Sequence, residues 1–315
     1  FSNIIGKSPA IRKLFATIRK VSDSDSHVLI TGNSGTGKEL VAKAIHYNSP
    51  RRKGRFVAIN CGAITETLME SELFGHKRGS FTGAVVDKDG LFKVAHNGTL
   101  FLDEIGDMSL TGQAKLLRAL ENREILPVGA TAVLPVNVRT IAATNRNLWQ
   151  EVQAGRFRED LYFRLNVIEI HIPSLRERPS DIPLLVDHFI QKYNRQMNRH
   201  VRGADPGVLE MIVKREWKGE VRELENFIER LMIFTTGEVI SMEDLPGDMQ
   251  PVEASARRPR EADSLRSAME QYEREFIREQ LIRNHYHRGR TAAALKIGEA
   301  TLYRKMNEYG LSDLE

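Results

Sequence analysis

Residues 32–39 read Gly-Asn-Ser-Gly-Thr-Gly-Lys-Glu, three glycines spaced around one lysine. Glycine lets successive backbone N–H groups approach a phosphate chain closely, and Lys38 adds a point charge for the outer phosphates. The apolar run HVLIT stands directly before the loop and the helical run LVAKAIH directly after it. A strand therefore delivers the loop, and the following helix adds the positive end of its dipole. Gly32, Asn33, Ser34, Gly35, Thr36, Gly37, Lys38 and Glu39 are accordingly the nucleotide-binding candidates. Glu39 occupies the position where a Ser or Thr hydroxyl usually touches magnesium, so the metal must be held by another group. TLFLDE, residues 99–104, ends an apolar run on two carboxylates. At the carboxyl end of a buried strand, Asp103 can hold Mg2+ through its water shell and Glu104 can orient and deprotonate an attacking water. A solvated strand end is the weaker reading once a phosphate loop is present. The chemistry these residues point to is hydrolysis of ATP with Mg2+.

Such a site needs a sheet to hold it. HVLIT (27–31), FVAIN (56–60), TLFLD (99–103) and VRTIAAT (138–144) are short runs rich in Val, Ile and Phe, separated by stretches of helical period. That alternation predicts an α/β fold with a parallel sheet between helices. Ser8-Pro9 starts a helix with Ile11, Leu14, Phe15, Ile18 and Val21 on one face. Residues 123–137 carry two strand-like runs around Gly129, which predicts a hairpin insertion. After 172–175 the strands give out, and 180–245 reads as a smaller helical domain. Residues 251–263 hold two prolines, three arginines and almost no large apolar side chain, so they read as a linker. Leu265, Met269, Tyr272, Phe276, Ile277 and Leu281 then form the apolar face of one long helix, with two shorter helices between Thr291 and Tyr309. The expected division is 1–175, 176–250, a linker at 251–263, and 264–315.

Composition bounds the setting. A chain of 315 residues, 41% hydrophobic and 28% charged, can bury the cores of two or three domains. A single cysteine, Cys61, excludes an internal disulfide and suits a reducing compartment, and no apolar run has the length of a membrane span. A cytoplasmic location is expected. The chain begins at Phe1 without a leader, so it reads as a fragment with a further segment, and the signal it senses, upstream. The 46 basic and 42 acidic residues are interspersed, so nucleic-acid binding has to rest on a local patch.

GSFTGA, residues 79–84, places Ser80, Phe81 and Thr82 between glycines, ordinarily a surface turn whose ring folds back. In order, GNSGTGKE, ESELFGHKRGSFTGA, GTLFLDEIGDM, FREDLYFRLNV, LRERPSDI and VRELEN strongly resemble the AAA+ domain of bacterial enhancer-binding proteins, the nitrogen regulatory protein C-like activators of sigma-54 RNA polymerase. The resemblance runs from about residue 3 to the C-terminus. It implies a P-loop ATPase of the AAA+ type with a helical lid domain and a C-terminal three-helix Fis-type helix-turn-helix. It also implies that Phe81 and Thr82 contact sigma-54 from a loop completed by Gly79, Ser80, Gly83 and Ala84, with Ser80 where the family usually has Ala. The insertion at 123–137 resembles a second surface loop that supports the first.

The same resemblance makes Asn60 a switch linking Glu104 to the sigma-contacting loop, and Asn145 a polar sensor beside the γ-phosphate. Arg158 and Arg164 resemble arginine fingers reaching into a neighbour's site, and Arg222 resembles a second sensor. Trp217, Lys218, Gly219 and Glu220 stand where the family commonly has Trp-Pro-Gly-Asn, a departure expected to loosen the helix that carries Arg222. TAAALKIGEATLYRKMNEYGL resembles the Fis-type helix-turn-helix. Ala292, Ala293, Leu295, Ile297, Leu302 and Met306 are expected to bury, leaving Arg290, Thr301, Arg304 and Lys305 for double-stranded enhancer DNA. Residues 263–315 hold nine basic and nine acidic side chains, but Arg283, Arg288, Arg290, Lys296, Arg304 and Lys305 face only Glu299 between 283 and 305. Lys296 replaces a common Gly, so an unusual turn is expected there. The implied machine is a hexameric ring, dimeric when inactive, that remodels the sigma-54 RNA polymerase holoenzyme. A DNA-binding regulator of ordinary polymerase, a general AAA+ remodeller of another protein and, for the C-terminal unit, a dimerisation bundle are the competing readings.

Overall fold

The computed structural model describes residues 4–63, 65–245 and 286–311, with isolated positions between 269 and 284. The expected linker at 251–263, and Leu265, Tyr272 and Arg283, lie outside the described residues. The chain divides into two compact units, Phe1–Asp244 and Leu245–Glu315.

The first unit is built on five strands: β1 (Val28–Thr31), β2 (Phe56–Asn60), β3 (Thr99–Asp103), β4 (Arg139–Thr144) and β5 (Ile168–His171). They pair in the order β2-β3-β4-β1-β5, all parallel. β5 is an addition to the four strands expected. It lies at the sheet edge and alternates Ile168 and Ile170 with Glu169 and His171, so it lacks the continuous apolar run that marks a central strand.

The central strands are buried on both faces because their side chains alternate. Leu100 and Leu102 join a core with Leu29, Leu73, Phe92, Leu116 and Leu161, whereas Phe101 faces the other way into a core with Ile11, Ile18, Ile30, Val41 and Ile45. Helix α1 (Pro9–Ser22) closes the second face, with the Ser8 hydroxyl accepting from Ile11 N at 3.3 Å. Its far end is held by the buried Arg139 guanidinium, which donates to Val21 O at 2.8 Å and Ser22 O at 3.3 Å. Helices α2 (Lys38–Tyr47), α3 (Glu66–Phe74), α4 (Leu110–Asn122) and α5 (Glu159–Leu165) complete the layers. The expected hairpin is present, pairing Glu124–Ile125 antiparallel with Leu134–Pro135. Helices α6 (Ile182–Met197), α7 (Pro206–Lys214) and α8 (Glu220–Phe234) follow the sheet in the same unit. Lys192 of α6 pairs with Glu225 of α8 at 2.5 Å.

In the second unit, α9 (Arg288–Ala294) and α10 (Glu299–Glu308) enclose Ala292, Leu302 and Met306 together with Ile277, Leu281 and Leu311. Ala293, expected inside, is exposed, because one residue past Ala292 a helix has turned about 100° away from the core. Leu295 and Ile297 are only partly covered. Lys296 adopts φ +55°, the left-handed conformation that glycine takes most readily, so the turn keeps a glycine-like path despite the substitution.

Candidate functional site

The phosphate loop leaves the carboxyl end of β1 and feeds α2. Gly35 and Gly37 take φ +84° and +96°, which a side chain resists. Lys38 folds into the loop, its Nζ donating to Gly32 O at 3.0 Å and Asn33 O at 3.1 Å. Burial lowers its pKa, while the Asp103 and Glu104 charges act in the opposite sense.

The acid pair stands at the end of β3. Burial raises the pKa of Asp103, partly offset by the hydrogen bond from Glu104 N at 3.0 Å to its Oδ1. Glu104 occupies the left-handed region at φ 52°, ψ 43°, a costly conformation for this residue type that recurs at functional sites. In register, Asn60 lies opposite Asp103, and Cys61 N donates to Asp103 O at 2.9 Å. The Asn60 side chain accepts from Gly62 N at 2.8 Å and Ala63 N at 3.1 Å, while Glu104 covers Gly62 so closely that a Cβ there would lie 2.8 Å from its Oε2. Asn60 and Glu104 thus meet over the same glycine. The neighbouring Cys61 thiol is buried, and its pKa is pushed up to about 12, so it is inert. Among the described residues no group of three or more His, Cys, Asp or Glu could cage a metal. Magnesium requires no such cage: it is held through one or two carboxylates, waters and phosphate oxygens, which fits Asp103 beside Lys38.

Gly35, Lys38, Asn60, Asp103, Glu104 and Arg222 line one cavity of about 640 Å³ together with apolar side chains such as Ile5, Leu14, Ile172, Leu185, Phe189 and Val221. The size and the mixed polar and apolar lining suit a nucleotide. Asn145, exposed after β4, lines an adjoining cavity with Gly32 and Asn33. Arg222 N donates to Gly35 O at 3.3 Å, so the lid helix sits directly on the phosphate loop. The helix starts at Glu220 despite the departures at 218 and 220. Glu223 Oε2 caps it by accepting from Gly219 N at 2.8 Å, and Glu220 is buried and hydrogen-bonded on both carboxylate oxygens. Sequence reasoning took Glu220 only as a missing cap; the one available signal was an acid at a position that the resemblance gives to Asn.

Arg158 and Arg164 do not line this cavity. Arg158 is exposed, paired with Asp160 at 2.6 Å, and its backbone is fixed by Gln113 Oε1 at 2.8 Å. Arg164 donates to Leu120 O at 3.1 Å.

The glycine-flanked loop projects from the end of α3. Gly79 and Gly83 take φ +81° and +105°, and Gly79 N donates to Ala84 O at 2.8 Å, which closes the loop. Thr82 is exposed, and the Phe81 ring stands edge-on to His76 at 5.0 Å. His76 in turn meets Ser71 Oγ at 2.7 Å. The second loop is zipped to this root, with Lys77 N donating to Val128 O and Val128 N to Gly75 O, both at 2.9 Å. In the C-terminal unit Arg290 and Arg304 are exposed and Thr301 is partly covered. Lys305, expected to face DNA, forms an ion pair with Glu273 of its own unit.

Three family models match the chain: the sigma-54 interaction domain over residues 4–171, the AAA+ ATPase lid domain over 176–262, and the bacterial regulatory protein Fis family over 268–309. Regulatory protein AtoC of Escherichia coli (strain K12) is 44% identical over 99% of this chain and 68% of its own length. Transcriptional regulatory protein ZraR of the same strain is 51% identical over 77% of this chain and 55% of its own length, so the chain spans little more than half of that relative. The crystal structure of NtrX from Brucella abortus in complex with ATP aligns with a TM-score of 0.73 at 36% identity, covering 98% of this chain and 69% of that one. No helix among the described residues is long and apolar enough to cross a membrane.

Proposed function

Since the chain belongs to the sigma-54-dependent transcriptional regulators, with an AAA+ ATPase domain and a Fis-family helix-turn-helix, we propose that it hydrolyses ATP to remodel sigma-54 RNA polymerase through the loop at 79–84. The observation that carries this reading is the convergence of Lys38, Asp103, Glu104 and Asn60 on one cavity, with Asn60 at the start of the segment that leads through α3 to His76 and Phe81. Lys38 and the loop N–H groups hold the phosphates. Asp103 is the residue to hold Mg2+, which when bound neutralises phosphate charge. Glu104 orients water and takes its proton. Loss of the γ-phosphate changes what Glu104 faces, and Asn60 passes the change along α3 to the ring on His76. Asn145 and Arg222 sense the nucleotide from the sheet and the lid. Arg158 and Arg164, absent from their own chain's cavity, serve the next subunit of a hexameric ring. Arg290, Thr301 and Arg304 face enhancer DNA, and the domain divisions follow 1–175, 176–250 and 264–315.

The test is retention of purified sigma-54 by the chain carrying ADP and a metal fluoride. Retention in that state and not with ADP alone is expected. Equal retention in both states, or none, overturns the reading.

A further inference from the structure

The lid meets the phosphate loop at a residue that the catalytic roles leave unexplained. Glu220 opens α8 with φ +56°, a conformation that Asn tolerates and Glu does not readily adopt, yet the residue is only 4% exposed. Both carboxylate oxygens are occupied. Oε1 accepts from Asn33 Nδ2 of the phosphate loop at 2.8 Å, and Oε2 accepts from Leu175 N, where the sheet domain gives way to the lid, at 2.5 Å. The charge of Glu220 also acts on Arg178, a guanidinium 3% exposed that lines the nucleotide cavity and whose Nε has no hydrogen-bond partner. Two residues on, Arg222 N donates to Gly35 O, and a side chain at Gly35 would run into Gly219 O.

We propose that Glu220 is a positioning residue: it latches the lid helix to the phosphate loop and so sets Arg222 against the nucleotide before the nucleotide arrives. The proposal rests on the nucleotide reading of the cavity. A buried carboxylate is retained only where its hydrogen bonds and neighbouring charge compensate for lost water, and these partners come from two separate segments, the phosphate loop at Asn33 and the junction at Leu175 and Arg178, which the seated lid brings together. The latch fixes geometry without touching substrate, so its loss acts on ATP affinity more than on turnover at saturation.

Three variants of the chain test it, with ATP binding and a KM-against-kcat comparison as readouts. Glu220→Ala is expected to weaken ATP binding by about tenfold or more, the worth of hydrogen bonds to a charged group, with kcat within about threefold. Asn33→Asp sets carboxylate against carboxylate and weakens binding further. Adding Glu220→Gln to Asn33→Asp lets the new amide donate to the introduced carboxylate, and about tenfold of the loss is expected to return. This isosteric pair keeps the test decisive if Glu220→Ala fails to fold. A double variant no better than Asn33→Asp alone, or a folded Glu220→Ala that binds ATP like the parent chain, overturns the latch. Failure of the parent chain itself to bind ATP overturns the nucleotide reading instead.

Discussion

In the proposed reaction the proton transfer falls to one residue, Glu104. Its left-handed backbone lifts the carboxylate off the strand line, over Gly62 and beside Asn60, where it shares the cavity with Lys38. Glu104→Gln preserves shape and hydrogen-bonding reach but removes the base. ATP binding near the parent level, with hydrolysis lowered about 100-fold or more, is the expected outcome in a steady-state assay. Undiminished turnover would remove Glu104 from the mechanism. Lys38 and Asp103 carry opposite charges whose burial disfavours ionisation in each, and each offsets the other. The pair therefore depends on being buried together.

The two surface loops behave as one element because their roots share backbone hydrogen bonds and their tips touch. Gly129, at φ +78°, leaves room for Ser80; a Cβ there would lie 2.6 Å from the Ser80 Cβ. Gly129→Ala therefore meets both backbone strain and a steric collision, together costing more than about 1 kcal/mol locally, and the relief is displacement of the loop that carries Phe81. The nucleotide cavity shares no residue with either tip, so ATP hydrolysis should stay within about threefold while retention of sigma-54 in the metal-fluoride state falls sharply. Unchanged retention would mean that the second loop gives the first no support.

For the whole molecule, the proposal that Arg158 and Arg164 serve a neighbouring subunit's site makes one chain an incomplete enzyme. Lys38→Ala removes a subunit's own phosphate grip but still offers its arginines; Arg158→Ala does the reverse. Each alone should be inactive. Mixed under conditions of subunit exchange, they should form some interfaces with Lys38 on one side and Arg158 on the other. A finger of this kind is worth on the order of 10³ in rate, so even a minority of repaired interfaces should rise clearly above background in a phosphate-release assay. Mixed rings without activity would place Arg158 in a role within its own chain.

The sequence by itself determined the phosphate loop, the acid pair, four of the five sheet strands and the hairpin insertion, because each is written in contiguous residues whose backbone needs are local: glycine at positive φ, short apolar runs for strands, carboxylates at a strand end. Ile168–His171, at the opposite sheet edge from Phe56–Asn60, escaped because Glu169 and His171 interrupt its apolar run and erase the signal. Only the tertiary structure decided what Glu220, Ser80 and Lys305 do. Their partners, Asn33 and Leu175, Gly129, and Glu273, lie 187, 45, 49 and 32 positions away, and no local pattern encodes such a distance. Packing brings those segments together, and it turns an acid expected to weaken a helix start into one held by hydrogen bonds on both of its oxygens.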